Sequence, residues 1–304
     1  MSGKFLYCVL AASLTLAATA FDSEGWFAKR FRLTDDAMRL RKEYQKYESC
    51  ITSPSENLAI PLEAYPSGTV RSLVKAKEAQ FFVDVPYIWA KDLEVMRLDD
   101  AGKEELRLNA DRCLIDRVVR SGWIEGHAKV RQGATVFEGD GIYFSASNNF
   151  VSAYSHAVVN TGGFVSDDQN VKPSRIRSRR AFFDREEGVI MFDKNVDVDY
   201  AGEYQMNADR VFAFLKNTNK LSRIVATGGV VITNGTRIGS CEMAVYRDFE
   251  RRIEMYAGTN SLACIAETSG RHNDVKGTKI TFWMDAEQVE VISPVITLEE
   301  KDVR

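Results

Sequence analysis

From about Phe81 to Ile296 the chain alternates apolar and polar residues in short segments separated by Gly, Asn, Asp and charged pairs. This period of two predicts an all-β domain. In "WIEGHAKVR", residues 123–131, Ile124, Gly126, Ala128 and Val130 fall on one face, and Glu125, His127, Lys129 and Arg131 on the other. One face is therefore expected to be dry and the other wet. Upstream, from Phe21 to about Gln80, the pattern is helical or irregular. Thr34, followed by Asp35 and Asp36, predicts a helix N-cap ahead of "AMRLRKEYQKYES", and the proline-bearing "SPSENLAIPLEAYPSG" reads as loop. The expected organisation is a helical lead-in over 21–80, a β module over 81–165 and a second over 175–298. The longest break, "TGGFVSDDQNVKPSRIRS" at 161–178, marks the boundary.

The two modules resemble each other. A shift of 102 residues lays Ala226, Gly228, Val230 and Ile232 over the dry positions of the first segment, Gly235 over Gly133 and Tyr246 over Phe144. A shift of 98 aligns "LNADR" at 108 with "MNADR" at 206. Smaller units recur as "GHAKV" at 126, "SHAVV" at 155, "NVDVD" at 195, "GGVVI" at 228 and "AGTNS" at 257. This spacing suits one hairpin or rung of a stacked β structure per unit. Glycine inside a strand lets the backbone bulge or approach a neighbour closely, which a curving sheet needs. The small dry-face residues would narrow the interior, with Phe137, Phe144, Phe192, Phe212, Tyr246 and Phe282 filling or lining it elsewhere.

With 45% hydrophobic residues the chain of 304 has enough apolar material for a real core, which excludes simple disorder. A formal net charge of −3 gives no overall attraction to nucleic acid. The N-terminus reads as an export signal: Lys4, the apolar run "FLYCVLAASLTLAATA", and the small-x-small pattern Ala18-Thr19-Ala20. Cleavage after Ala20 is the first reading, and an uncleaved inner-membrane anchor from Phe5 to Phe21 the second. Cys50, Cys113, Cys241 and Cys264 would remain; export permits disulfides, and sequence does not choose among their pairings and thiols. No C-x-x-C supports a zinc site.

The segment "LSRIVATGGVVITNGTRIGSCEMAVYRDFERRIEMYAG", with "TKITFWMDAEQVEV", resembles the OstA-like periplasmic domain of lipopolysaccharide-transport (LptA/LptC) proteins. The matching positions are Ala226, Gly228, Val230, Gly235, Ala244, Tyr246, Ile280 and Phe282. "AKDLEVMRLDDAGKEELRLNADR" is similar to LptC, so the whole looks like an LptC-like module joined to an LptA-like one over residues 90–294. The resemblance implies an open β-jellyroll that holds lipopolysaccharide acyl chains and docks to other Lpt-type bridge proteins through β-strand edges. A buried methylene is worth about 0.8 kcal/mol, so an apolar trough needs no catalysis to carry a lipid. The implied lipid-binding groove is Ile124, Val130, Ile142, Phe144, Val230, Ile232, Tyr246, Ile253, Ile280 and Phe282.

Other clusters have structural readings beside chemical ones. Lys172, Arg175, Arg177, Arg179 and Arg180 suit lipid phosphates, because guanidinium forks match phosphate geometry; they equally suit a solvated strand edge. His127 and His156, at equivalent positions of neighbouring units, stack as surface histidines or as a metal pair, and no metal is expected. Asp193, Asp197 and Asp199 suggest a carboxylate cluster, yet Asp alternating with Val196 and Val198 is what a half-buried strand displays. No G-x-S-x-G, Walker sequence or H-E-x-x-H occurs. The expectation is a non-enzymatic periplasmic lipid-transport protein without cofactor or nucleic-acid partner. The alternatives are an envelope β-solenoid scaffold with a closed core and an extracellular β-helix enzyme acting on polysaccharide.

Overall fold

A computed structural model describes residues 23–294, apart from 133–134, 146, 165–171, 185, 201, 203, 217–219, 236, 268–273 and 285–287. The export signal over 1–20 lies outside the described residues, as does part of the 161–178 break. Two compact units divide at Cys50/Ile51. The first contains one helix, α1 (Ser23–Glu48). It begins eleven residues before Thr34, so the expected N-cap sits inside it. Nothing between Trp26 and Thr52 breaks a helix, and Asp36 is used on the helix surface, 3.9 Å from Arg39. Leu33, Ala37, Leu40 and Tyr44 follow a spacing of three and four and share one helix face. No helix among the described residues is long and apolar enough to cross a membrane.

The second unit is all β. Its strands are β1 (Ser55–Ala64), β2 (Val70–Phe81), β3 (Tyr87–Leu98), β4 (Glu104–Asp116), β5 (Ser121–Gln132), β6 (Thr135–Ser145), β7 (Phe150–Phe164), β8 (Lys172–Ser178) and β9 (Arg180–Asp184). They continue as β10 (Val189–Tyr200), β11 (Tyr204–Lys216), β12 (Lys220–Asn234), β13 (Arg237–Arg247), β14 (Arg252–Tyr256), β15 (Ala263–Glu267), β16 (Val275–Gly277), β17 (Lys279–Trp283) and β18 (Gln288–Ile292). All pairings are antiparallel, and from β1 to β7 and from β10 to β14 each strand pairs with the next along the chain. β8 and β9 act as one interrupted strand between β7 and β10, and β14 with β15 likewise pair along β13. The sheet is therefore one continuous meander that runs through the expected boundary near 170.

β1 and β2 correct the expected loop and irregular lead-in. Pro54 precedes β1, and Pro61 lies on a strand that pairs on one side only among the described residues, where a missing N–H is tolerated. Leu58 and Ile60 supply the alternation that the two prolines obscured in the sequence.

Four of the five recurring short units are β-bulges, and the fifth, "AGTNS", lies in the break between β14 and β15. Register shifts fall at Ile124/His127 on β5, at Asp193/Val196 on β10 and at Thr227/Val230 on β12, and β7 carries an extra residue opposite Glu138/Asp140. Each bulge has a left-handed residue: Gly126 at φ 84°, His156 at φ 50°, Asn195 at φ 53° and Gly228 at φ 82°. Bulges bend a strand and increase its twist. Gly126 and Gly228 occupy matching places in the two modules, each seated against the aspartate of an "NADR" sequence. A Cβ on Gly126 would stand 3.2 Å from Asp111 Oδ2, and one on Gly228 2.6 Å from Asp209 Oδ2. Both aspartates are exposed, so the two glycines are bulge residues beside the wet face and not, as the strict alternation implied, members of the dry one. The extra residue in each strand offsets the period of two.

Buried acceptors close the hairpins at one end of the sheet. Asp116 Oδ1 accepts from the N–H groups of Val118 and Val119, both at 3.0 Å, and Asp184 Oδ1 from those of Glu186 and Glu187 at 3.1 and 3.2 Å. Asp116 and Asp184 are 4% and 1% exposed, and a polar group buried to that extent needs such donors.

The bends close the sheet on itself. Val198 on β10 and Met284 after β17 are five strand spacings apart along the ladder, roughly 24 Å in a flat sheet, yet both line one cavity. The sequence expectation of an all-β fold of stacked rungs, preceded by a short helix, holds.

Gly228→Ala should destabilise the sheet by about 1–3 kcal/mol through its φ and the Asp209 contact. Asp209→Ala should restore only the steric part, and urea titration of the single and double variants measures the split.

Candidate functional site

Cross-strand register arranges the inner face as apolar rows perpendicular to the strands. The central row runs Ala90, Cys113, Ile124, Ile142, Ala153, Ala181, Phe192, Val211, Ala226, Ala244, Met255 and Ile280, each directly opposite the next. None of these is more than 4% exposed. Alanine recurs along it and beside it, at Ala110, Ala128, Ala157 and Ala208, so the walls approach closely. These alanines, rather than Gly126 and Gly228, form the expected narrowing.

Wider residues flank this waist. Toward one end of the strands run Val74, Val95, Leu108, Val130, Phe137, Val159, Ile176, Val198, Met206 and Ile232. Toward the other run Phe144, Val151, Phe183, Ile190, Ala213, Ile224, Tyr246, Ile253, Phe282 and Val289. Many side chains in these two rows are only partly buried. Gly122 is required here: a Cβ would lie 2.4 Å from Phe144 Cζ, so the glycine gives the ring its place. The rows pass from the first module into the second without a polar interruption. Across the eleven steps of the central row they extend on the order of 50 Å.

Nine of the ten expected groove residues lie in or against this inner core, and Val130 stands in a flanking row. Ile124, Ile142, Val230 and Ile280 are sealed in it at 0–1% exposure. Val130 and Phe144 are half-buried in the flanking rows. Ile232, Tyr246 and Ile253 line an apolar cavity of about 70 Å³ in the second module, and Ile253, Ile232 and Phe282 line a neighbouring one. The first cavity is completed by Val198, Tyr200, Tyr204, Met206, Ile224, Ala226, Ala244 and Met284. Tyr200, Tyr204, Met206 and Met284 were not singled out in the sequence, where Tyr and Met near turns look like surface residues; the pairing of Met206 with Val198 and Ile232 was the available signal. Tyr246 keeps its ring in the cavity and donates its hydroxyl to Asp248 Oδ1 at 2.9 Å. Burial, with Asp248 beside it, pushes the phenol upward, so it stays neutral. Phe212 departs from expectation: it pairs with Met191 and Val225 and stacks on Phe214 on the opposite face.

The opposite face carries the charges and, in the first module, an aromatic cluster of Trp123, Tyr143, Phe150, Tyr154 and Phe182. Arg175 and Arg177 are exposed and stand opposite Asp199 and Asp197, with Arg177 and Asp197 3.5 Å apart. Arg180 is committed elsewhere. Its Nη2 donates to Asp193 Oδ2 at 2.5 Å, while Arg210 donates twice to Oδ1 at 3.0 Å. Burial alone would raise the Asp193 carboxyl, but the bonds from Arg210 and Arg180 hold it below its ordinary value. Asp193 thus pins the β10 bulge, Asp197 pairs with Arg177, and Asp199 accepts the Gly202 N–H at 2.9 Å, so the three carboxylates have separate partners. His127 and His156 do converge, both on Asp140: Nδ1 lies 3.1 Å from Oδ1 and 2.8 Å from Oδ2, respectively. Among the described residues no group of His, Cys, Asp and Glu is arranged to hold a metal. Glu254, nearly buried, gathers Lys279 at 2.6 Å and Arg247 at 3.2 Å, and these hold its carboxyl low against the opposing effect of burial.

Residues 175–288 match the model of the family described as the LptA/(LptD N-terminal domain) LPS transport protein. That stretch begins on β8 and ends at the start of β18, and it includes the larger cavity. The resemblance to the lipopolysaccharide-transport family holds over this module. Among solved structures the chain is similar to LptH, the LptA-homologous periplasmic component of the conserved lipopolysaccharide transport device of Pseudomonas aeruginosa. Identity is 14% over 40% of this chain and 83% of that one, with a TM-score of 0.34. Comparison with curated proteins finds no match.

Two outcomes follow from this geometry. Asp193→Asn should cost about 2 kcal/mol at neutral pH, the worth of hydrogen bonds to a buried charge. Because the folded carboxyl titrates below its unfolded value of about 3.9, that contribution is complete above this pH and fades as the pH falls through the folded value. Chemical denaturation of both proteins from pH 7 to 3 should show the gap closing. Burial pushes the Cys113 and Cys241 thiols up to about 12. A thiol reagent at pH 8 should therefore modify exposed Cys50 in the folded protein and reach those two only on unfolding, as peptide mapping would read.

Proposed function

We propose that this protein carries lipopolysaccharide, or a lipid with similar acyl chains, along the inner face of its sheet in the periplasm, without catalysis. The observation that carries the reading is the continuity of the apolar rows across both modules, opening into cavities lined by Ile232, Tyr246, Ile253 and Phe282. Membership of the second module's sequence in a lipopolysaccharide-transport family supports it. A fully buried methylene is worth about 0.8 kcal/mol, so one acyl chain seated in such a cavity is retained firmly, yet nothing directional prevents it from sliding. In this reading the sealed waist is structural, and Ile124, Ile142, Val230 and Ile280 hold the walls; the half-buried flanks, including Val130 and Phe144, contact lipid. Arg175, Arg177 and Arg179 lie away from the rows, so the phosphate contact expected of them is not part of the proposal.

Partner docking would use the strand edges. β18, "QVEVI", is mostly exposed and among the described residues pairs with β17 on one side, whereas β1 carries Pro61 and the left-handed Asn57 at φ 54°, both of which blunt an edge. β18 is therefore the edge assigned to another bridge protein. The export signal supports a periplasmic location, whether it is cleaved or kept as an inner-membrane anchor.

The test is in-cell photo-crosslinking with a photoreactive phenylalanine analogue at Tyr246, Phe282 and Phe144, with Lys129 on the outer face as control. Lipid adducts are expected at the first three sites and not at the fourth. A folded protein with no adduct at any inner site would instead favour the closed-core scaffold.

A further inference from the structure

The hairpin turns at one end of the sheet present aliphatic side chains that the fold does not need. Val83, in the β2–β3 turn, is 96% exposed; Val118 and Val119, in the β4–β5 turn, are 78% and 43% exposed; Phe81, closing β2, is 41% exposed. Scattered exposed valines are ordinary on a protein surface, but these are held together. Arg117 N–H donates to Pro86 O at 2.9 Å and its Nη2 to Val85 O at 3.5 Å, tying the two turns to each other. Ser147 Oγ donates to Val119 O at 2.6 Å and ties in the β6–β7 turn. Asp116 turns its carboxylate inward to cap the N–H groups of Val118 and Val119, leaving their side chains outward.

The geometry points to this rim as a membrane-contact surface that inserts Val83, Val118 and Val119 into the interface of a bilayer containing anionic lipid. Three features favour a bilayer over a protein partner. The apolar side chains sit at turn tips, where they can enter a lipid interface without burying strand backbone, whose polar groups would be costly there. The tip "RVVR" places Arg117 and Arg120 on either side of the two valines, the arrangement that pairs apolar insertion with anionic headgroups; Asp84 is the carboxylate beside Val83. The turns are already ordered, so insertion loses little backbone entropy. β1 begins at this same end, with Thr52 and Ser53 N–H groups bonded to Gln80 Oε1 at 3.0 and 3.3 Å. The inference goes beyond lipid carriage and does not rest on it, because none of these side chains belongs to the apolar rows.

A solvatochromic amino acid placed at Val83 or Val118 of the full chain, with outer-face Val231 on β12, 37% exposed, as control, tests the surface directly. Vesicles of phosphatidylethanolamine and phosphatidylglycerol with brominated acyl chains should shift the emission of the first two to the blue and quench it, while the Val231 probe remains unquenched. Phosphatidylcholine vesicles should quench markedly less. Val118→Asp with Val119→Asp should weaken partitioning about tenfold with unchanged thermal unfolding, since these side chains pack against little. If the 5–21 stretch alone brings the protein to the vesicle, both tip probes stay in water, and the proposal is overturned. Unaltered crosslinking at Tyr246 in the double variant separates this failure from failure of the lipid-carriage reading.

Discussion

The inner apolar rows of this meander leave water by curling of the sheet, and curling is limited by how sharply extended strands bend. The bulges at Gly126, His156, Asn195 and Gly228 supply the bend. Each adds a residue to one strand, places it in the left-handed region and leaves the ladder intact on either side. The alanine-rich central row depends on that bend, because small side chains gain contact only where two walls come near. The partly open flanking rows depend on it too: where the walls diverge from the waist, larger residues such as Phe144, Met206 and Tyr246 fill only part of the space. A groove beside a sealed seam is thus a consequence of bending a two-sided sheet along one line.

The same line sorts the charges. Asp193 lies at the β10 bulge, where the ladder is interrupted and a buried carboxylate can receive Arg180 and Arg210 together. Asp140, between two bulged strands, receives both histidines. Exposed cross-strand pairs such as Lys129 with Glu138 add little to stability individually, but they keep the outer face wet and so fix which face turns inward. Register is then specified from both sides, since a one-residue slip would move charges into the core and valines out of it.

Much of this was legible in the sequence. Alternation identified the strands from Phe81 onward, and the repeat at 102 residues found the two glycines that matter most. Their role was misassigned because a period of two assumes an unbroken strand: a bulge shifts the phase by one, so Gly126 and Gly228 leave the dry face on which simple alternation put them. The loop expected around Pro54 and Pro61 was a strand for a related reason, since proline excludes a central strand but not an edge. The groove residues were identifiable as inward-facing, but sequence could not distinguish the sealed Ile142 from the cavity-lining Ile232. That difference lies in the distance to the opposite wall, which no local pattern encodes. The hairpin-capping aspartates at 116 and 184 had a signal in the four-residue spacing to the next strand, and it went unused.

The duplicated device bears on how a chain of this length could present one uninterrupted track. Asp111 with Gly126 and Asp209 with Gly228 place the same bend at the same height in both modules, so the inner rows of one continue into those of the other instead of meeting at an angle. Two modules joined by a linker would have to align their grooves by docking, at an entropic cost and with polar rims between them. Here the continuous ladder from β7 through β8 and β9 to β10 carries the register across, and backbone hydrogen bonds do the aligning. The same logic explains why charge is stationed at the junction's outer face: Arg175 and Arg177 stand opposite Asp199 and Asp197, and a one-residue slip would set the arginines against inward-facing positions such as Val198 instead.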